Sequence, residues 1–170
     1  MGMKLPTRMS RFGWAVVATV LWATSAAYAD HFTVSLDVSD GKGKQSAATQ
    51  IDPPKDQKIV HRPVIEGAAD ARFTATWKLT ATGAEPLKDV LVHFYVVRID
   101  RPGQASPPLE PKDVVIESAL TMDFEPKGSA SATVKFQAPQ AGTYLVRIET
   151  QGGAEKKSHE HFAAIDLVVK

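Results

Sequence analysis

The sequence predicts an all-β domain, an antiparallel β-sandwich of about seven strands, and three observations lead to this fold class. Several segments alternate apolar and polar residues with a period of two, which is typical of half-buried strands. Turn residues separate these segments, and after residue 29 no segment shows the 3.6-residue apolar repeat of an amphipathic helix. The chain also contains no cysteine, so its stability depends on a hydrophobic core without disulfides.

The first part of the domain is predicted to contain one clear strand and one weaker strand. Residues 31–38 form the clear strand, because every second side chain is apolar. The apolar positions are Phe32, Val34, Leu36 and Val38. Residues 39–58 are polar and rich in glycine, lysine, glutamine and aspartate, which indicates a long polar loop. Residues 59–65 indicate a short edge strand that Pro63 interrupts, since proline cannot donate to a strand ladder.

The middle of the chain contains the most regular strand pattern. Residues 71–81 alternate clearly, and residues 90–99 are apolar on both faces, which predicts a central strand. Residues 101–112 contain four prolines. Because proline fixes φ and lacks an amide donor, this segment is predicted to be a connection rather than a helix or a central strand.

The remaining strands complete the predicted sandwich. They are residues 114–124, 130–136, 143–150 and 159–169, with a turn at 125–128. Because side chains alternate between the faces of a sheet, the inward positions form the predicted core. These positions are Phe73, Trp77, Leu79, Val92, Phe94, Val134, Phe136, Tyr144, Val146 and Ile148.

One segment carries a resemblance to a known class of domain. Residues 138–148 read Ala-Pro-Gln-Ala-Gly-Thr-Tyr-Leu-Val-Arg-Ile. This run resembles the E–F corner of exported bacterial immunoglobulin-like and fibronectin-III-like domains, and the strand pattern of residues 71–169 is similar as well. The resemblance implies an immunoglobulin-like sandwich in which Tyr144 is a corner tyrosine whose hydroxyl bonds to nearby backbone. Such domains are mostly modules of binding, adhesion or assembly, and their fold does not specify which.

The first 29 residues predict a secretory signal peptide. Lys4, Arg8 and Arg11 precede an apolar run at residues 12–23, and the small-x-small pattern of residues 27–29 follows. An uncleaved anchor is the alternative, but a spanning helix needs about 20 apolar residues and this run is shorter. We therefore expect a signal peptide at residues 1–29 and one domain at residues 30–170. The mature chain would be periplasmic or secreted and would have no stable membrane anchor.

The charge balance indicates no nucleic-acid partner. The chain has 20 basic and 19 acidic residues, and the predicted leader holds three of the basic ones. Cleavage would leave 17 basic against 19 acidic residues, a net charge of −2, with both signs interspersed. A nucleic-acid-binding domain normally carries a concentrated basic surface, which is missing from this sequence.

Three histidines form the candidate metal-binding group. His159 and His161 are two apart at the start of the last predicted strand, so their side chains share a face roughly 6.6 Å apart along the axis. In immunoglobulin-like sandwiches the first strand, or its second half, often runs parallel to the last, which would bring His31 to the same end. Three imidazoles suit Cu²⁺ or Zn²⁺. The alternative is that these histidines are ordinary exposed side chains beside a charged turn.

The sequence does not indicate an enzyme. It has no G-x-S-x-G elbow, no H-E-x-x-H pair and no glycine-rich phosphate loop before a helix. His93 lies in the strand that is apolar on both faces, so we expect a buried or half-buried histidine with a hydrogen-bond partner. Sandwich domains usually bind through their loops, and the proline-rich segment 101–112 would present a rigid surface. The expected function is therefore non-catalytic binding or assembly with a protein or glycan partner of the cell envelope. A copper or zinc protein is the alternative.

Overall fold

The computed structural model describes residues 32–48, 61–151 and 161–170, which fold into two β-sheets packed face to face. These ranges contain nine strands. The strands are β1 (Phe32–Ser39), β2 (Lys44–Ala48), β3 (Val64–Gly67), β4 (Arg72–Ala81), β5 (Leu87–Ile99), β6 (Val114–Phe124), β7 (Ser129–Gln137), β8 (Gly142–Gln151) and β9 (His161–Val169). Sheet A has the order β2-β1-β4-β7, and sheet B has the order β3-β9-β8-β5-β6. The prediction of an all-β sandwich is confirmed.

The core lies between the two sheets and follows the predicted alternation. In β4 the apolar side chains of Phe73, Trp77 and Leu79 are buried, while Arg72 and Lys78 are exposed. All of the predicted core residues are buried except Val134, which packs against the core and remains partly exposed. Full burial of each large apolar side chain contributes about 1.5–3 kcal/mol, so this alternation accounts for most of the driving force for folding.

The predicted long loop at residues 39–58 is wrong in part, because residues Lys44–Ala48 form β2. The backbone amides of Lys42 and Gly43 donate to the Asp40 carboxylate at 2.9 and 2.7 Å, which stabilises a tight turn. The chain then reverses and pairs antiparallel with β1, and Ala47 is buried against the core. A polar edge strand of this kind has no apolar alternation from which it could be recognised. The remainder of the predicted loop lies outside the described residues.

The pairing of β2 with β1 gives a prediction about pH. Hydrogen bonds from Ser46 and Lys44 hold the pKa of the Asp37 carboxyl below its ordinary range. A lowered folded pKa stabilises the hairpin above the unfolded pKa of about 3.9, and this stabilisation is lost as the pH falls below that value. We expect the β2 amides to exchange hydrogen faster as the pH falls through this window, after correction for intrinsic rates. The effect should be small, since the Asp37 side chain is 41% exposed, and the Asp37→Asn variant should not show it.

The sequence predicted a short edge strand at residues 59–65, but β3 begins only after Pro63 and runs to Gly67. β3 runs parallel to β9, and Val64 lies opposite Asp166. The Pro63 carbonyl accepts the backbone amide of Asp166 at 2.9 Å, which starts the parallel ladder. The strand that runs parallel to the last strand is therefore β3 and not the first strand, β1, which lies in the other sheet.

The corner that carries the immunoglobulin-like resemblance has the expected hydrogen bond. The Tyr144 hydroxyl donates to the Gln140 carbonyl at 2.8 Å, and Tyr144 is fully buried. The predicted turn at residues 125–128 is also present. There the Gly128 amide donates to the Glu125 carbonyl at 2.8 Å, and a Cβ at Gly128 would lie 2.8 Å from that same oxygen. Only glycine fits this position without a backbone shift.

The corner tyrosine gives a second prediction. Replacing Tyr144 with phenylalanine keeps the buried ring and removes its one hydrogen bond, so we expect the free energy of unfolding to fall by about 0.5–1.5 kcal/mol. Urea denaturation of the parent and the Tyr144→Phe variant measures the difference. An unchanged midpoint would mean that the hydroxyl contributes nothing to the stability of the corner.

The predicted signal peptide and its cleavage site lie outside the described residues. Within the part of the chain that the structure covers, no helix is long and apolar enough to cross a membrane.

Candidate functional site

The outer face of sheet B is covered, which the sequence did not predict. Leu145, Arg147 and Glu149 alternate with the inward residues of β8 and so lie on its outer face, yet all three are buried. The connection between β5 and β6, residues 100–113, packs across this face and is here called loop 100–113. Its Leu109 packs on a second apolar cluster of the sheet. That cluster comprises Tyr95, Val97, Ile99, Leu145, Phe162 and Ala164.

A buried ion pair fixes the first half of loop 100–113. The Arg62 Nε donates to Asp166 Oδ1 at 2.9 Å, and the two side chains are only 2% and 1% exposed. The other carboxylate oxygen of Asp166 accepts the Gly103 amide at 2.7 Å. Arg62 also donates to the Gln104 carbonyl at 2.6 Å. Because charge-assisted hydrogen bonds are among the strongest in proteins, these contacts hold the loop in one position.

A second polar cluster, here called the outer-face network, lies beside the loop on β5, β6 and β8. The Arg147 Nε donates to Glu149 Oε2 at 2.5 Å, and its guanidinium lies 3.7 Å from the centroid of the Phe162 ring. Arg147 also donates to the Ser106 hydroxyl of the loop at 2.9 Å. The Gln151 amide donates to Glu149 Oε1 at 2.8 Å. The network therefore stabilises both the sheet and the loop that covers it.

His93 links the buried part of this network to solvent. Its Nδ1 lies 3.3 Å from Glu149, and its Nε2 lies 2.9 Å from Glu117. The exposed fraction rises along this path, from 6% for the Glu149 side chain to 12% for His93 and 47% for Glu117. The expectation of a buried or half-buried histidine with a hydrogen-bond partner is confirmed. Glu117 therefore offers a solvent-facing carboxylate on β6.

The three predicted metal ligands are only partly covered by the structure. His31 and His159 lie outside the described residues. His161 is buried at the start of β9, and its ring packs against that of Phe32 with 6.4 Å between centroids. The first residues of β1 and β9 thus lie at one end of the sandwich, but in opposite sheets rather than side by side. Among the residues that the structure describes, no group of three histidine or acidic side chains could hold a metal ion.

Comparison with known proteins yields no family. No family model and no curated protein matches the sequence. Among solved structures, the C-terminal domain of Wzt is 8% identical, with a TM-score of 0.42 over 79% of this chain and 70% of that one. A chitin binding domain from Burkholderia pseudomallei is 12% identical, with a TM-score of 0.40 over 65% of this chain and 57% of that one.

A third solved structure covers more of the chain. The soluble domain of PmoD from Methylocystis sp. ATCC 49242 (Rockwell) is 13% identical, with a TM-score of 0.37 over 81% of this chain and 90% of that one. At identities and TM-scores this low, the similarities carry no information about function. The functional assignment therefore depends on the site itself.

Proposed function

We propose that the chain is an exported, non-catalytic binding or assembly module that acts in the periplasm or at the cell exterior. In this proposal residues 1–29 are removed on export, and residues 30–170 form an immunoglobulin-like domain. Its partner is a protein or a glycan of the cell envelope. The corner tyrosine and the parallel β3–β9 pair support the immunoglobulin-like assignment.

The observation that carries the proposal is the rigidity of loop 100–113. Asp166 and Arg62 hold one part of it, Arg147 holds the next through Ser106, and Leu109 packs on the sheet below. Such a loop needs little further ordering when it binds, and a smaller entropic cost leaves more of the contact energy for affinity. Several of its residues remain exposed, including Pro102, Pro108, Glu110 and Lys112.

A replacement of the exposed loop segment tests this proposal. We expect a variant in which Pro108, Glu110, Pro111 and Lys112 are all changed to serine to lose capture of envelope proteins or binding to a glycan array. Asp166, Arg62 and Ser106 stay in place, so the fold should be retained. The matched control changes Thr76 and Thr133 to alanine. These two residues form an exposed hydroxyl pair on the outer face of sheet A, away from loop 100–113. If the loop variant keeps every partner of the parent, loop 100–113 is not the binding surface.

The second candidate function is a copper or zinc protein that uses His31, His159 and His161. The packing of Phe32 against His161 favours it, because it brings the starts of β1 and β9 to one end of the sandwich. Titration with Cu²⁺ and Zn²⁺ should then give one tight site that is lost in both His159→Ala and His161→Ala. His61→Ala is the control, since His61 is exposed and outside the proposed group. Unchanged affinity in the first two variants would exclude this function.

A further inference from the structure

The outer face of sheet A is an open polar surface, in contrast to the covered outer face of sheet B. Strand pairing arranges the outward side chains of β2, β1, β4 and β7 in rows that cross the sheet. Within the described strands, these positions hold no aromatic or large apolar residue. Most of them carry a hydroxyl group, namely Thr33, Ser35, Ser39, Ser46, Thr74, Thr76, Thr80, Ser129, Ser131 and Thr133.

This face also has an excess of positive charge. Four cations occupy outward positions of the described strands, against the single carboxylate of Asp37, which pairs with Lys44 at 2.9 Å. The other three cations are exposed and form no ion pair with a described residue; they are Arg72, Lys78 and Lys135. The whole chain is nearly neutral, with 20 basic and 19 acidic residues, so this excess is a local feature of sheet A.

Exposed lysines on other surfaces of the protein are neutralised within the fold. Lys88, Lys112 and Lys170 each have a carboxylate oxygen within 3.0 Å. A carboxylate opposite Lys78 or Lys135 on a neighbouring strand would stabilise the sheet in the same way. Their cross-strand neighbours in the described strands are instead serine and threonine, so these two charges remain available to an anionic partner.

The hydroxyl groups around Lys78 are available as well. Lys78 lies between Ser35 of β1 and Ser131 of β7, and neither serine side chain bonds to a described residue. In the next row but one from them, by contrast, no such freedom exists for the nearest threonines: Thr76 and Thr133 bond to each other at 3.1 Å. A free hydroxyl can donate one hydrogen bond and accept two, so the serines beside Lys78 can bond to the hydroxyl groups of a ligand.

We propose that the outer face of sheet A binds an acidic polysaccharide whose sugar units carry carboxylates. These carboxylates pair with Arg72, Lys78 and Lys135, and the sugar hydroxyls bond to the serines beside Lys78. Arg72 and Lys78 lie on the same strand and are roughly 20 Å apart along it, so the ligand is a chain of several sugar units.

The chemistry of the face favours this ligand over other anionic partners. Membrane-binding surfaces insert aromatic or leucine side chains into the lipid, and single-stranded nucleic acids stack their bases on aromatic side chains. Outward positions in the described part of sheet A contain neither group. Duplex DNA is held by many phosphate contacts, more than three free cations provide. The surface lies on the opposite side of the sandwich from loop 100–113, so this inference goes beyond the function proposed above.

Three polymers test the proposal by calorimetric titration of the purified protein. Polygalacturonate and polyglutamate both carry one carboxylate per unit, but only the first is a carbohydrate, and dextran is a neutral carbohydrate. We expect polygalacturonate to bind about fivefold more tightly than polyglutamate, the equivalent of one net hydrogen bond, and dextran not to bind. Binding should weaken as salt is added, because salt screens exposed charges.

Matched charge variants locate the site. Lys78→Gln and Lys135→Gln should each weaken the binding of polygalacturonate about twofold to fivefold, as expected for one exposed ion pair. Lys88→Gln and Lys112→Gln change the net charge equally but lie outside sheet A, so they should bind like the parent. All four side chains are exposed, so the fold should be retained in every variant.

A pair of hydroxyl variants tests the carbohydrate part of the proposal. Changing both Ser35 and Ser131 to alanine leaves the charge unchanged and should abolish the preference for polygalacturonate over polyglutamate. Changing both Thr76 and Thr133 to alanine is the control and should preserve this preference, since their hydroxyls bond to each other.

Several results would overturn the proposal. They are a failure of polygalacturonate to bind, equal affinity for polyglutamate, and charge variants on sheet A that behave like those outside it. Tighter binding of duplex DNA or of phosphatidylglycerol vesicles would identify another class of partner and would overturn it as well. The serine variant of loop 100–113 should bind polygalacturonate like the parent, so this proposal and the loop proposal succeed or fail separately.

Discussion

Replacing Asp166 with alanine is expected to lower the free energy of unfolding by about 3–5 kcal/mol, because it leaves Arg62 as a buried charge without its partner. The two side chains are almost fully buried, so water cannot replace the lost carboxylate. The change also removes the acceptor of the Gly103 amide and releases part of loop 100–113. Urea denaturation measures the loss, and hydrogen exchange of the Gly103 amide reports the release of the loop.

The structure provides both a matched control and a rescue for this prediction. Asp123 pairs with Lys88 at 3.0 Å, but both side chains are more than half exposed, so Asp123→Ala should change stability little. Combining Asp166→Leu with Arg62→Met removes both charges and should recover much of the lost stability, since an apolar pair can replace a buried ion pair. If Asp166→Ala and Asp123→Ala behave alike, the buried pair does not anchor the loop.

Replacing Glu149 with leucine is expected to have an effect of similar size, about 3–5 kcal/mol. The change removes the carboxylate that accepts from Arg147 and Gln151 and that lies beside His93. Arg147, which is buried against the Ser106 hydroxyl and the face of the Phe162 ring, then loses this charged partner. Thermal and urea unfolding measure the loss, and partner capture should fall with it if loop 100–113 is the binding surface.

Glu117 is the natural control, because it contacts the same histidine from the other side. Its side chain is 47% exposed, so water can replace it and Glu117→Ala should destabilise the protein far less than Glu149→Leu. Equal losses in the two variants would contradict the distinction between the buried and exposed parts of the outer-face network.

The alternation of apolar residues was enough to predict the inner core but not the outer layer. Phe73, Trp77 and Leu79 are buried as their spacing indicates. The same spacing places Arg147 and Glu149 on the other face of β8, where they are buried because loop 100–113 covers them. Alternation shows which residues share a face of a sheet. It contains no information about what a distant connection places on that face.

The candidate site was predictable only in its parts. The sequence indicated that the proline-rich segment is rigid and that His93 is buried or half-buried with a hydrogen-bond partner. The identity of the partners depends on strand register. Glu149 of β8 lies directly opposite His93, and Glu117 of β6 lies two residues before Ala119, the residue opposite His93 on that side. The metal hypothesis depended on a first strand parallel to the last, but the parallel partner of β9 is β3. A short edge strand after a proline has no sequence pattern that would show that it, and not the first strand, pairs with the last strand.

The parallel pairing of β3 with β9 also affects how fast the protein reaches its native state. The Arg62–Asp166 contact beside this pair joins positions that are 104 residues apart in sequence. The chain must lose the entropy of closing that loop before the contact stabilises anything, and proteins dominated by such distant pairings fold in milliseconds to seconds. Refolding should therefore be slow for a domain of this size. Until β9 joins sheet B, both the edge of β8 and the apolar residues beneath it stay accessible to other chains.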